Sequence, residues 1–199
     1  MKSVLRIILL LAGLLPASFV SAQNNKPKDY LSVPGPLSLS GVAYNLSWTA
    51  HPNENYYKQE YLPAKENPDR YKKMLMLEAL VGNNTAAELA NAKVNELKEL
   101  KLHNPVVNYE IFQKNGEYLL DFLVSDNGPG GSINIIEHNV YRYKGGIDNS
   151  GKSYVMLFAI SERAYGNDSD KFLLNLKKSK VALQNDVAAY PLPVITVKN

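Results

Sequence analysis

Residues Gly145–Ser153 read GGIDNSGKS, and the structure given to this stretch decides the fold. From Gly146 it matches G-x-x-x-x-G-K-S, the loop that cradles phosphates between a strand and a helix. Such a loop works because the helix that follows offers free backbone N–H groups and a positive dipole end. Here the following residues, Tyr154–Ile160, read YVMLFAI. They are β-branched and aromatic, too few for a helix, and run into the turn-like SERAYG. Lys152 and Ser153 therefore enter a strand, where successive side chains point to opposite faces. They cannot converge on one phosphate and its magnesium. The stretch is read as a Gly/Asn-rich hairpin loop, and no nucleotide is expected.

Working outward, four strand segments succeed one another: 106–114, 117–125, 133–143 and 153–161. Asn115-Gly116 joins the first two and is the strongest short hairpin signal. The loop DNGPGG, Asp126–Gly131, joins the next pair. Upstream, Val42, Tyr44, Leu46 and Trp48 alternate with polar or small residues, which predicts a strand with one apolar face. His51-Pro52-Asn53 reads as a turn, and Tyr56–Leu62 as the next strand. MLMLEALV, stopped by Gly82, reads as a buried strand. Thr85 and Glu88 form a T-x-x-E capping box that opens a helix to Lys101. A second long helix is predicted over 168–190. The fold class is therefore α+β: a mostly antiparallel sheet of six to seven strands with two long helices packed on it. Because YLLDFLV and YVMLFAI are apolar on both faces, both faces of the sheet should be covered, as in an α/β/α sandwich.

The N-terminus has targeting character. Lys2 and Arg6 precede an apolar run, Ile7–Leu15, and Val20-Ser21-Ala22 offers a small-residue cleavage site. This is the pattern of a secretory signal peptide, residues 1–22, so a periplasmic or secreted protein is expected. Residues 23–36 read as a flexible lead-in, 37–190 as one α+β domain and 191–199 as a C-terminal tail. No other segment reaches transmembrane length. Loss of Lys2 and Arg6 lowers the formal charge from +3 to +1, which argues against nucleic-acid binding. The cluster Lys171, Lys177, Lys178 and Lys180 reads as a solvated helix face. With no cysteine, disulfides and thiol chemistry are excluded.

Catalytic motifs are absent. No H-E-x-x-H and no G-x-S-x-G occurs, so neither a metal nor a cofactor is expected. His51 and His103 sit beside turn residues and are assigned to solvent. Three residues remain as catalytic candidates: Asp121, His138 and Arg163. Asp121 places a charge inside an apolar strand, which demands a partner; regular pairing brings it near Ile136 or His138, within reach of Arg142 or Arg163. For ligand binding, Tyr57, Gln59 and Tyr61 share one strand face, and Tyr165 sits before the last helix.

The stretches YYKQEYLP, LLDFLVSD, NVYRYK and SERAYGND resemble those of a family of uncharacterised exported proteins of Gram-negative bacteria. The order of elements is similar to the PsbP-like α/β/α fold, which implies a binding or assembly module. The expectation is thus a non-catalytic envelope protein that binds a protein or small ligand through a sheet edge or its tyrosine-rich surface. The alternative is a hydrolase acting on an envelope or dietary polymer.

Overall fold

Asn115 and Gly116 both adopt positive φ, 52° and 77°. Those are the angles a two-residue hairpin turn requires, and they bend the chain between β5 (Asn108–Lys114) and β6 (Glu117–Asn127). The computed structural model describes residues 26–198. The hairpin it forms continues into β7 (Ile133–Ile147) and β8 (Ser153–Tyr165), all antiparallel. Of GGIDNSGK, Gly145–Ile147 extend β7 and pair with β8, and only residues 148–152 form the β7–β8 loop. Asp148 turns its carboxylate inward and accepts from the N–H groups of Ser150 and Lys152, at 2.8 and 2.9 Å. The N–H groups that a phosphate loop would offer are thus taken by the loop's own acid, and no helix follows.

The N-terminal half adds β1 (Leu37–Leu39), β2 (Val42–Asn53), β3 (Tyr56–Pro63) and β4 (Lys73–Val81). The sheet order is β1-β2-β3-β4-β8-β7-β6-β5, every neighbouring pair antiparallel. The sheet curls into a half-barrel and has eight strands rather than six to seven. The extra strand, β1, spans three residues, too few to show a period of two. α1 (Ala86–Lys101) opens on the predicted capping box, with Thr85 and Glu88 bonding each other's backbone N–H. It lays Ala86, Ala90, Val94 and Leu97 on one sheet face, chiefly over β5–β7. α2 (Ser169–Ala189) buries Leu183 and Val187 on the other face, over β6–β8. Arg142 of β7 donates to the carbonyls of Val187 and Tyr190, satisfying the C-terminal end of α2 with a cation.

Two local expectations are corrected. His51-Pro52-Asn53 is not a turn. β2 runs on to Asn53, with a register shift between Ala50 and Asn53 where the missing N–H of Pro52 is not needed. SERAY belongs to β8, and only Gly166–Asp168 makes the turn into α2.

The lead-in assigned as flexible is held down within its described part. Leu31 is fully buried and Val33 nearly so. Gln59 of β3 fixes them: its Oε1 accepts from the N–H groups of Tyr30 and Leu31 at 2.8 and 3.0 Å, and its Nε2 donates to the carbonyl of Val33. The C-terminal tail closes over the same segment. Thr196 N–H donates to Leu31 O, Lys198 N–H donates to Tyr30 O, and Ile195 is buried. Both ends thus complete the core on the α2 face. The predicted signal peptide, residues 1–22, lies outside the described residues.

Replacing Gln59 with Leu strips the Tyr30 N–H of its acceptor, leaves the Leu31 N–H only Asp29 Oδ1, and removes the donor to the Val33 carbonyl. The expected cost is about 2–4 kcal/mol of unfolding free energy. Urea denaturation of wild type and Gln59→Leu measures it; equal midpoints would show that this side chain does not hold the lead-in.

Candidate functional site

Strand alternation sorts the candidate residues onto two faces. Asp121, on β6, and His138, on β7, lie on the α2 face, both nearly inaccessible. His138 Nε2 is 2.8 Å from Asp121 Oδ2. The second carboxylate oxygen, Oδ1, receives Lys180 of α2 at 3.1 Å, and Lys180 also binds Glu110 of β5 at 2.5 Å. Lys180 is therefore no member of a solvated face, and the cation that reaches Asp121 comes from α2 rather than from Arg142 or Arg163. Burial works against the charge on Asp121, but the hydrogen bonds and charges of His138 and Lys180 outweigh it and hold its carboxyl below its ordinary value. The network ties α2 to the sheet.

Arg163 is on the opposite face. It binds Glu137 and lies over the ring of Tyr71, 4.2 Å from its centroid. The trio Asp121, His138 and Arg163 does not converge, because 121 and 138 share one face and 163 alternates to the other.

Tyr57, Gln59 and Tyr61 are likewise displaced from their expected role. All three are fully buried on the α2 face under the lead-in, and Tyr61 donates to Gln59's bonding partner, the carbonyl of Val33, at 2.6 Å. His51 stacks on Tyr57, ring centroids 4.1 Å apart, rather than projecting into solvent.

The same strand's other side is the open one. Tyr56, Lys58 and Glu60 project onto the α1 face, beyond the strands that α1 mainly covers. Tyr56 donates to Glu78 at 2.6 Å, and Lys58 lies between Glu60 and Glu78, 2.9 and 3.7 Å away. Trp48 joins them. One extra residue, Ser47, falls between the pairs Leu46–Tyr61 and Trp48–Glu60. This bulge turns Trp48 off the buried face that Tyr44 and Leu46 share and sets it beside Lys58, 5.9 Å from ring to ammonium. Trp48 is 44% exposed. The period-2 pattern of β2 puts it with Tyr44, since a bulge leaves no mark in the spacing. The alternation of Lys58 and Glu60 with buried residues was the available signal for the wet face.

Further along this face, Tyr71 donates to Glu137 at 3.0 Å, and Tyr165 donates to the carbonyl of Tyr71 at 2.8 Å. Arg70 lies 4.6 Å over the Tyr165 ring. Together with Asp69, Asn134, Ile135 and Gly166, these two line an open cavity of about 460 Å³. Tyr141 and Tyr143 bridge the two ends, their rings 6.3 Å apart. Burial first, then Glu78 or Glu137, pushes the phenols of Tyr56, Tyr71, Tyr141 and Tyr143 well up. They stay protonated at any physiological pH. They are not bases, and the hydroxyls of Tyr56 and Tyr71 already donate to Glu78 and Glu137. Among the described residues no group of three or more His, Asp or Glu is placed to hold a metal ion.

A family model matches residues 31–192. The chain belongs to a family of uncharacterised proteins. The matched span takes in every strand, both helices and the Gln59 contacts with Leu31 and Val33. No curated protein and no solved structure matches the chain. Among the described residues no helix is long and apolar enough to cross a membrane.

The Asp121 network carries a pH signature. The carboxyl is held below the unfolded-state value of about 3.9, so its stabilisation is complete above that value and is lost as pH falls through the folded one. Asp121→Asn should cost about 3 kcal/mol at neutral pH, and the difference from wild type should shrink below about pH 4. Denaturant melts across that range test it; a pH-independent difference would contradict the ionic origin.

Proposed function

We propose that this is an exported envelope protein that binds a hydroxyl-rich ligand, of the chemistry of an oligosaccharide, on its α1 face and performs no reaction on it. The observation that carries the reading is Trp48, turned outward by the Ser47 bulge into the company of Tyr56, Lys58, Glu60 and Glu78. An indole face stacks on the apolar side of a sugar ring, while carboxylates and the Tyr56 phenol oxygen accept from its hydroxyls. The elevated phenols and the ion-paired carboxylates supply recognition without a free general base. Export rests on the N-terminal pattern of Lys2, Arg6, the apolar run and Ala22.

Against the hydrolase alternative stands the separation of Asp121 and His138 from Arg163 by the sheet itself. A general acid or base must also reach a substrate proton, and the Asp121–His138 pair is closed in beneath α2.

Trp48 is the chain's one tryptophan, so its fluorescence reports on this surface alone. Titration with envelope-derived oligosaccharides should give a saturable intensity change. Glu78→Gln and Tyr56→Phe should weaken it by about tenfold, the loss of one or two hydrogen bonds to a charged or phenolic group. A flat response across neutral and acidic oligosaccharides would overturn the reading.

A further inference from the structure

The sheet ends on β5, and nothing among the described residues pairs with its outer edge. β5 is paired to β6 along one side only. An unpaired edge offers a row of N–H and C=O groups to another strand, and proteins ordinarily blunt such edges or keep them short. The opposite edge obeys that rule, since β1 has three residues. β5 has seven, about 23 Å of open backbone. It is also apolar on both faces where it is most open: Ile111 is 40% and Phe112 48% exposed.

The charges on β5 select a partner. Glu110, Phe112 and Lys114 share the α2 face; Tyr109, Ile111 and Gln113 share the other. Lys114 has no carboxylate within ion-pairing distance among the described residues. Glu110 engages Lys180 through Oε2 alone, which leaves Oε1 unpaired. One strand therefore carries a spare cation and a half-used carboxylate four residues apart on the same face. In an antiparallel pairing of two identical strands about a two-fold axis, residue i faces j with a constant sum. With the axis at Phe112, Glu110 of each copy faces Lys114 of the other, twice, and the Phe112 rings meet at the centre. A register centred on Ile111 would set Glu110 against Phe112, and one centred on Glu110 would oppose two carboxylates. Of the registers that keep each sheet face continuous, only the Phe112-centred one pairs the charges.

We propose that β5 pairs with β5 of a second copy of this chain in that register, joining two eight-stranded sheets across a two-fold axis. The contact is one strand wide, smaller than a standard interface, so the dimer is concentration-dependent rather than obligate. It is independent of the ligand face, because a hairpin edge and the Trp48 surface lie at opposite ends of the sheet.

The test is molar mass by sedimentation equilibrium on the chain from residue 23, over a rising concentration series. Wild type should climb from one chain toward two. Lys114→Glu places four carboxylates around the axis yet leaves Lys180–Glu110 intact. Glu110→Lys places four cations there. Each variant alone should associate at least about tenfold more weakly, since two attractive cross-strand pairs become repulsive. Mixed together, the two variants restore Glu–Lys pairing at both positions and should form a heterodimer that neither forms alone. A wild-type mass fixed at one chain overturns the proposal. So does association undiminished in Lys114→Glu, which would place the contact elsewhere, or a mixture of the two folded variants that fails to associate.

Discussion

β8 is buried on both of its faces, and the architecture follows from that constraint. Residues Tyr154 to Ser161 are all buried in succession. A strand with apolar residues on both sides cannot face water on either. Each side needs its own cover, and the two helices supply it from opposite directions. α1 closes the face of Val155, Leu157 and Ala159, and α2 closes that of Met156, Phe158 and Ile160. The remaining strands extend the sheet outward from this buried centre, with β4 on one side and β7 on the other.

The two covers are fastened differently. α1 is held by an apolar stripe of small and branched residues, with a capping box fixing its start. α2 buries fewer residues, and its attachment leans on ions: Lys180 onto Asp121 and Glu110 at mid-helix, and Arg142 onto its final carbonyls. A buried carboxylate without partners would be costly, yet His138 of β7 and Lys180 of α2 both bind Asp121. The charge that made Asp121 conspicuous in the sequence therefore serves as a fastening for a helix.

α1 lies chiefly over β5–β7 and shares a core with Leu62, Met74 and Met76, leaving the Trp48 end of the β2–β3–β4 part less covered. There Tyr56 and the ion-paired Lys58, Glu60 and Glu78 are half-buried, and Trp48 is exposed. On the reverse of the same strands, the chain termini take the place of a helix. Tyr57, Gln59 and Tyr61 are the floor on which Tyr30 to Val33 and the tail around Ile195 are laid. One strand thus has its aromatic-amide side sealed by its own chain and its charged side left open, and the open side is where binding is proposed.

Local residue chemistry by itself determined the hairpins, the capped helix and the double-faced burial. Asn-Gly demands positive φ, T-x-x-E closes on its own backbone, and an unbroken apolar strand must be covered twice. Each of those depends on residues a few positions apart. The tertiary structure alone decided what depends on distant partners. It extended β2 through Pro52 by means of a bulge, and it turned Trp48 to the open face through Ser47. It spent Gln59 on the lead-in, and it parted Arg163 from Asp121 by the thickness of the sheet. Spacing along a strand shows which residues share a side. Which side is sealed depends on segments distant in sequence, the lead-in upstream and the C-terminal tail downstream, and no local pattern carries that information.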